Sequence, residues 1–566
     1  MKPNLLFVSL PAIPYDSIIA SFSNNSLSVD TPGLMSMPLG ILYLSSYIKK
    51  NSEVGKVGIL DYVANIDKAS TFGNLDNYIL EIAKKDIDFI PDIIAFSLLF
   101  SISHPLFKLA VKKLKAIWPN AVVIVGGVHA TNCTELLLEN EDVSYVARGE
   151  GEVALAEFIK QFSSLQEINV KGIYSKNKIN SAAELELCEF IEDLDLIPFP
   201  DWELIDMGKY TTSTGRKRNI GDAKESKIAS FITTRGCAYR CTFCASHSAH
   251  GRKMRYRSVE NVIEEVKILH HKYGVTLFIP EDDLFTVNKK RVLRLLSELK
   301  ALNIPDFELQ FPNALAINTL DEEILDALID SGTKIVSLAI ESGSEYVQRY
   351  IIKKNCNLKK AVKLVKYLKD KGIMVRCYFI LGFPKETKAQ MQETIEYSKR
   401  LGADWCLFNI ASPLKGSEMH KEFVDLGYIV DDEELWSKSF FQERAFDTDE
   451  ISAEEIKNLN YRANLECNFI NNPNKVNGKY EKAIDIYQDI VKAYPFHIVG
   501  WYCIMECYEG MGDIEKAESV KNKIIEKIKN DERSAKMLAQ HHDLMPKMNQ
   551  YLELVTKYAN QRVGWW

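Results

Sequence analysis

The chain has no long uninterrupted apolar run, only a mild excess of one charge and mostly scattered cysteines. Its most apolar stretch, Ile93 to Phe107, is too short to span a bilayer and contains His104 and Pro105. The opening segment Met1 to Pro11 carries one positive charge and a short apolar run broken by proline. It lacks the h-region and small-residue cleavage site of a signal peptide. The 11 cysteines are odd in number and mostly scattered, which argues against a secreted disulfide framework. Lys+Arg 70 against Asp+Glu 77 leaves a formal charge of -7, with no global signature of a specific nucleic-acid partner. What remains is 566 residues, 46% hydrophobic and 26% charged, an ordinary folded composition. That length suits about three or four domains. A cytoplasmic protein in a reducing compartment, with no transmembrane segment, is the expectation.

Residues 1–165 alternate short apolar runs with helical patterns. Leu5–Leu10, Val57–Leu60, Ile93–Ser97 and Ala121–Val125 read as buried parallel strands, and Leu39–Lys50 and Leu106–Ile117 as helices. The alternation predicts a Rossmann-like, doubly wound α/β sheet whose ligand lies beyond the carboxyl ends of the strands. Residues 166–225, with Ile197-Pro198-Phe199-Pro200, read as a connector. Residues 226–425 carry six strand candidates: Lys227–Thr233, Leu277–Pro280, Glu308–Phe311, Ile335–Ile340, Val375–Ile380 and Trp405–Ile410. With intervening helices they predict a full or partial (β/α) barrel. Residues 426–566 read as an all-α region. Gly478, Tyr480 and Ala483 recur as Gly512, Ile514 and Ala517, displaced by 34 residues, so the stretch near 476–530 resembles a tetratricopeptide hairpin.

The segment Thr234-Arg235-Gly236-Cys237-Ala238-Tyr239-Arg240-Cys241-Thr242-Phe243-Cys244 carries the chemistry. Three cysteines at C-x3-C-x2-C spacing sit on a loop after an apolar strand. Thiolates suit an iron–sulfur cluster or zinc. A structural zinc site wants four ligands, and His247 and His250 stand nearby, so the residues alone leave both open.

The motif, with Phe243 before its last cysteine, resembles the cluster loop of the radical S-adenosylmethionine superfamily. The resemblance implies that Cys237, Cys241 and Cys244 hold a 4Fe–4S cluster whose fourth iron binds S-adenosylmethionine. It extends to Ile279-Pro280-Glu281-Asp282-Asp283, where Glu281 or Asp282 would accept from the cosubstrate amine. It continues in Ala339-Ile340-Glu341-Ser342-Gly343-Ser344, near ribose and methionine, and in Phe379-Ile380-Leu381-Gly382-Phe383-Pro384, near adenine. Phe243, Glu341, Ser342, Gly343 and Gly382 are thereby implied as cosubstrate contacts.

The first domain resembles the cobalamin-binding domain found ahead of this core. The likeness lies in Leu39-Gly40-Ile41, Ile93–Ser97, Gly126-Gly127-Val128-His129-Ala130-Thr131 and Arg148-Gly149-Glu150-Gly151-Glu152. It implies Ser97, Leu99, Gly126, Gly127, His129, Ala130, Thr131, Gly149 and Glu150 as cobalamin contacts. The Asp-x-His-x-x-Gly string that supplies a histidine to cobalt elsewhere is absent.

Together the resemblances imply a cobalamin-dependent radical methyltransferase acting on an unactivated carbon through a 5′-deoxyadenosyl radical and methylcobalamin. The alternatives are a radical cyclase, ring-rearranging or carbon–carbon bond-forming enzyme, and a metal-stabilised protein-binding module. The expected partners are a small-molecule or peptide substrate, a reductant such as flavodoxin or ferredoxin, and a protein at the C-terminal helices. Cys377 and Tyr378, on a predicted barrel strand, are further catalytic candidates. Cys503 and Cys507, one helical turn apart, suit helix packing.

Overall fold

The computed structural model describes residues 2–13, 15, 17–19, 37–181, 184–210, 226–430, 432, 435 and 443–558. Part of the predicted connector, 211–225, and the last residues, 559–566, lie outside them.

The N-terminal sheet holds β1 (Leu5–Ser9), β2 (Val57–Asp61), β3 (Ile93–Ser97), β4 (Val122–Gly126), β5 (Tyr145–Ala147) and β6 (Ile173–Tyr174), in the order β2-β1-β3-β4-β5-β6. The first five are parallel and β6 runs antiparallel to β5. The predicted strands are found within a residue or two at each end. They are continuous apolar runs because both sheet faces are covered by helices. Register aligns Ser9 with Asp61 and with Ser97, and Ser97 with Gly126, so the carboxyl ends form one edge. The sixth strand falls within the segment read as connector. Two residues are too few to show a period.

The second α/β unit contains β7 (Ile228–Phe231), the antiparallel pair β8 (Thr234–Arg235) and β9 (Arg255–Tyr256), β10 (Leu277–Pro280), β11 (Glu308–Leu309), β12 (Leu315–Ala316), β13 (Ile335–Glu341), β14 (Met374–Leu381) and β15 (Trp405–Ile410). The predicted strand Glu308–Phe311 is shorter than expected. The parallel ladder breaks there into an arc β11-β10-β7 and an arc β12-β13-β14-β15. Pro312 brings no N–H to the ladder and Ala314 takes a left-handed φ of 63°, so the chain turns before it pairs again.

Helix Leu39–Asn51 ties the units together. Its Leu39, Leu42 and Tyr43 lie in the same apolar core as Phe231, Val259 and Phe278 of the barrel. Beyond Ile451 every described regular element is helical. Helices Tyr480–Ala493, Ile498–Gly510, Ile514–Asn530 and Glu532–His541 follow in succession. Gly478 and Gly512 have φ of 74° and 78°, and Ala483 and Ala517 are buried. The 34-residue echo thus marks equivalent turns and packing points. Cys503 and Cys507 are fully buried in this helical core. Among the described residues no helix is long and apolar enough to cross a membrane.

Candidate functional site

The cysteine loop is built by its flanks. Thr234–Arg235 pairs with Arg255–Tyr256, which closes the loop at its base. Gly236 has φ 85°, and a Cβ there would lie 2.3 Å from the Lys253 carbonyl oxygen, so only glycine fits. Inside the loop, Thr242 N donates to Ile352 O (3.1 Å) and Thr242 Oγ1 to Ile351 O (3.0 Å), while Met419 N donates to Thr242 O (2.8 Å). The loop is therefore anchored to the segment after β13 and to the helix that follows β15.

Cys237, Cys241 and Cys244 are partly exposed and unbridged. Burial raises all three thiols, Cys237 among them, taking Cys241 to about 12 and Cys244 to about 11. The neighbouring cysteines raise Cys241 and Cys244 further. Against them stands the Lys354 ammonium, which lowers all three. Lys354 is 8% exposed and donates to Glu341 Oε1 at 2.7 Å. Burial opposes its charge, but Glu341 and then Cys241 hold its pKa above the ordinary lysine value. Metal ligation requires thiolates, and a buried cation beside three thiols favours them.

Lys354 carried no sequence signal. Glu341 ends β13 with a φ of 71°, and Lys354 reaches it from thirteen residues on, past a widened helical turn at Val347–Ile351. Gln348 fixes both ends. Its Nε2 donates to Ile340 O and Ser342 O, both at 2.7 Å, and its Oε1 accepts from Cys356 N at 3.1 Å.

The other expected cosubstrate residues divide. Glu281 Oε1 accepts from Ser230 Oγ (2.7 Å) and its Oε2 from Asn313 Nδ2 (3.0 Å), at the mouth of the first arc. Asp282 turns inward, accepting from Thr233 N (2.6 Å), Thr234 N (3.1 Å) and Thr233 Oγ1. It fixes the strand that leads into the cysteine loop. Ser342 is buried against Thr394 Oγ1 at 3.0 Å, and a Cβ on Gly343 would lie 2.4 Å from Tyr397 Cβ. That glycine serves close approach of helix Lys388–Leu401. Gly382 has φ 84°; its N–H and that of Phe383 donate to Glu386 Oε2 at 2.7 and 3.0 Å. Burial pushes the Glu386 carboxyl up to about 8. Phe243 lies with its ring centroid 5.9 Å from that of Phe383, joining the cluster loop to this strand end. Cys377 is buried in the main core with Val375 and Phe379, on the strand face opposite half-buried Tyr378.

At the N-terminal sheet edge, Leu99 is 49% exposed and Phe100 42% exposed, just beyond Ser97. A Cβ on Gly126 would meet nothing within 4 Å, whereas one on Gly127 would strike the Leu98 carbonyl at 2.5 Å. An open glycine beside exposed apolar residues fits a large flat ligand on this edge. His129 is buried. Its Nδ1 lies 2.8 Å from Ser101 Oγ, its Nε2 3.0 Å from His104 Nδ1, and burial takes its pKa down to about 3. With both ring nitrogens engaged inside the protein, it fits no metal-ligand role. Ala130 and Thr131 are buried; Thr131 Oγ1 donates to Gly127 O (3.0 Å) and accepts from Gly149 N (2.9 Å), bracing the edge from behind. Glu150 is held by Arg255, Arg235 and His250.

Among the described residues no group of three His, Cys, Asp or Glu side chains converges on a single metal ion. His250 Nδ1 is engaged 2.8 Å from Glu150. The loop supplies three soft thiols, and with His250 engaged by Glu150 this donor set fits a cluster with an open iron better than tetrahedral zinc.

Comparison with known proteins agrees. Residues 231–398 match the radical SAM superfamily and residues 26–159 the B12 binding domain. The cytidylyl-2-hydroxyethylphosphonate methyltransferase of Streptomyces wedmorensis is 30% identical over 72% of this chain and 81% of its own length. This chain belongs to the cobalamin-dependent radical S-adenosylmethionine enzymes. An uncharacterized methyltransferase of Pyrococcus horikoshii is 32% identical over 68% of this chain and 78% of its own. The radical S-adenosylmethionine methyltransferase TsrM from Kitasatospora setae shares the fold with a TM-score of 0.56 at 16% identity, over 75% of this chain and 78% of that one. The cobalamin-dependent enzyme OxsB aligns over 99% of this chain and 83% of its own, with a TM-score of 0.57 and 16% identity. The cofactors of this radical SAM enzyme are a 4Fe–4S cluster, S-adenosylmethionine and cobalamin.

Proposed function

We propose that this radical SAM enzyme transfers a methyl group to an unactivated carbon of a small molecule, with Cys237, Cys241 and Cys244 as cluster ligands. The observation that carries the reading is the joining of a three-thiol loop and a B12-type sheet edge in one chain, with methyltransferase relatives over most of its length. When bound, the cluster and S-adenosylmethionine supply a carbon-centred oxidant and cobalamin supplies the methyl group. The protein's share is orientation and shielding. Glu281, at the mouth of the barrel, is the carboxylate placed to accept from the cosubstrate amine. Lys354 is the cation placed to hold its carboxylate, since it already faces Glu341 and the three thiols. Ser97, Leu99, Gly126 and Gly127 form the edge on which cobalamin rests. A low-potential electron carrier of the flavodoxin or ferredoxin class serves as reductant.

Lys354→Met is expected to weaken S-adenosylmethionine binding by about 2 kcal/mol, roughly 30-fold, the worth of a charge-assisted hydrogen bond. Equilibrium dialysis on reconstituted protein measures it, and Lys354→Arg is expected to recover most of the loss. The function itself is tested by anaerobic reconstitution with both cofactors, reductant and methyl-labelled S-adenosylmethionine. Formation of 5′-deoxyadenosine together with S-adenosylhomocysteine, in the presence of a methyl acceptor, is the expected outcome. The cytidylylated phosphonate of the Streptomyces relative is the first acceptor to try. Full turnover without cobalamin, or 5′-deoxyadenosine with no S-adenosylhomocysteine, would overturn methyl transfer.

A further inference from the structure

Two acidic residues of the N-terminal domain grip two arginines that flank the cysteine loop. Glu152 opens helix Glu152–Ser163, and Glu150 precedes it on the Gly149–Gly151 turn. Arg235 stands two residues before Cys237 on β8, and Arg255 faces it on β9. Arg235 Nη2 donates to Glu152 Oε1 at 2.6 Å, and its Nη1 lies 3.2 Å from Glu150 Oε2. Arg255 is bidentate, with Nη2 to Glu150 Oε1 at 2.6 Å and Nη1 to Glu150 Oε2 at 2.8 Å. All four residues are at most 7% exposed. Tyr43 and Phe190 cover the guanidinium faces of Arg235 and Arg255, at 5.6 and 4.8 Å. Arg255 Nη1 also donates to Ile191 O (3.0 Å), and Arg255 Nη2 to His250 O (3.1 Å).

The connection continues on both sides. Gly149, next to Glu150, donates to Thr131 Oγ1, and Thr131 braces Gly127 on the sheet edge. On the other side Arg235 is separated from Cys237 only by the constrained Gly236. An ion-pair cluster removed from water contributes little net stability against apolar packing, yet removing one partner is costly and its geometry is strict. Such a cluster adds a directional contact to the non-directional apolar one made by helix Leu39–Asn51, and so is suited to fixing one arrangement of the two domains.

We infer that Glu150 and Glu152 are positioning residues: through Arg235 and Arg255 they set the cysteine loop at a fixed distance and angle from the cobalamin-bearing sheet edge. The inference rests on the proposed function only for what the spacing serves; the spacing itself is a property of the chain.

The test uses the full-length protein with bio-orthogonal spin labels at residues 112 and 366, on exposed helix positions of the two units. Interdomain distances are measured without cofactors. In protein loaded with both cofactors, electron-spin relaxation of cobalt is then compared with the cluster oxidised and reduced. In Glu150→Gln/Glu152→Gln the apo distance distribution is expected to broaden about twofold. In Glu152→Gln alone, which leaves the implied cobalamin contacts untouched, iron and cobalamin contents should stay at the wild-type level while the relaxation effect of the reduced cluster on cobalt falls. Arg255→Lys, which keeps the charge but not the fork, is expected to lie between. Unchanged distances and unchanged relaxation in a folded double variant overturn the inference. If the double variant does not fold, Glu152→Gln alone decides: broadening supports the clamp and an unchanged distribution overturns it. Wild-type protein that takes up neither iron nor cobalamin counts against the proposed function, while the apo distances still decide the clamp.

Discussion

Cys241→Ser is expected to strip the reconstituted protein of most of its iron and to take 5′-deoxyadenosine formation below detection. Wild-type protein should carry about four iron and four sulfide per chain, and zinc at trace level. The magnitude follows from the ligand count. With three thiolates from the loop, losing one leaves two, too few to retain a cluster. Serine is a hard, weakly acidic oxygen donor and does not replace a soft thiolate. Burial already holds the Cys241 thiol near 12, so the site forms its thiolates only as iron takes the place of the protons. Cys503→Ser, far away in the helical tail and fully buried, serves as control and should keep its iron. Iron, sulfide and zinc analysis decides the matter. One zinc per chain without iron would instead favour a metal-stabilised binding module.

A chain ending at Glu450 is expected to be recovered as aggregate. The tail does more than extend the molecule. β15 is the last strand of its arc, so its outer edge presents unpaired backbone groups. The tail occupies that edge with side-chain amides. Asn468 Oδ1 accepts from Cys406 N and Asn468 Nδ2 donates to Cys406 O, both at 2.7 Å, and Asn472 Nδ2 donates to Asp404 O at 3.1 Å. Asp404, fully buried, accepts from Asn474 Nδ2 at 2.8 Å and pairs with Lys369. Burial opposes the Asp404 charge, but Lys369 and Asn474 hold its carboxyl below the usual range. Apolar contact adds to this: Ile456, Ala463 and Cys467 enter the barrel core, and Trp405 packs 5.7 Å from Phe469 in the tail core. The cut also falls beside the site: Arg444, which the shortened chain keeps, donates from Nη1 to Gly382 O and from Nη2 to Ile451 O, both at 3.0 Å, and truncation removes the second of these partners. Truncation would uncover a strand edge, an apolar face and a buried carboxylate at once. The milder Asn468→Ala should cost about 2 kcal/mol, for two buried backbone groups left unpaired. Thermal denaturation measures the latter, and soluble yield the former. A soluble, active truncation would leave the tail free for partner binding alone.

Much of the architecture was legible because it repeats locally. Strands such as Leu5–Ser9, Ile93–Ser97 and Leu277–Pro280 are almost wholly apolar runs, and a run buried on both faces announces itself without knowledge of its neighbours. The break between β11 and β12 was legible only in part: Pro312 marks it, but nothing local says that Leu315–Ala316 pairs onward with Leu338–Ala339. Site residues separate along the same line. Gly236 needs its left-handed φ for a local turn, whereas Gly343 is glycine because Tyr397, over fifty residues on, leaves no room for a Cβ.

The amino-acid sequence by itself determined the chemistry of the centre. Three soft ligands on one short loop narrow the metal to an iron–sulfur cluster or zinc through donor type and spacing, both properties of adjacent residues, and the likeness to the radical S-adenosylmethionine loop selects the cluster. Only the tertiary structure decided what surrounds that loop. Lys354 lies more than a hundred residues from Cys241, and Glu150 more than a hundred from Arg255. A charge is told from an ordinary surface charge only by what it meets in low dielectric. That meeting depends on how the domains close on each other, which no local pattern encodes.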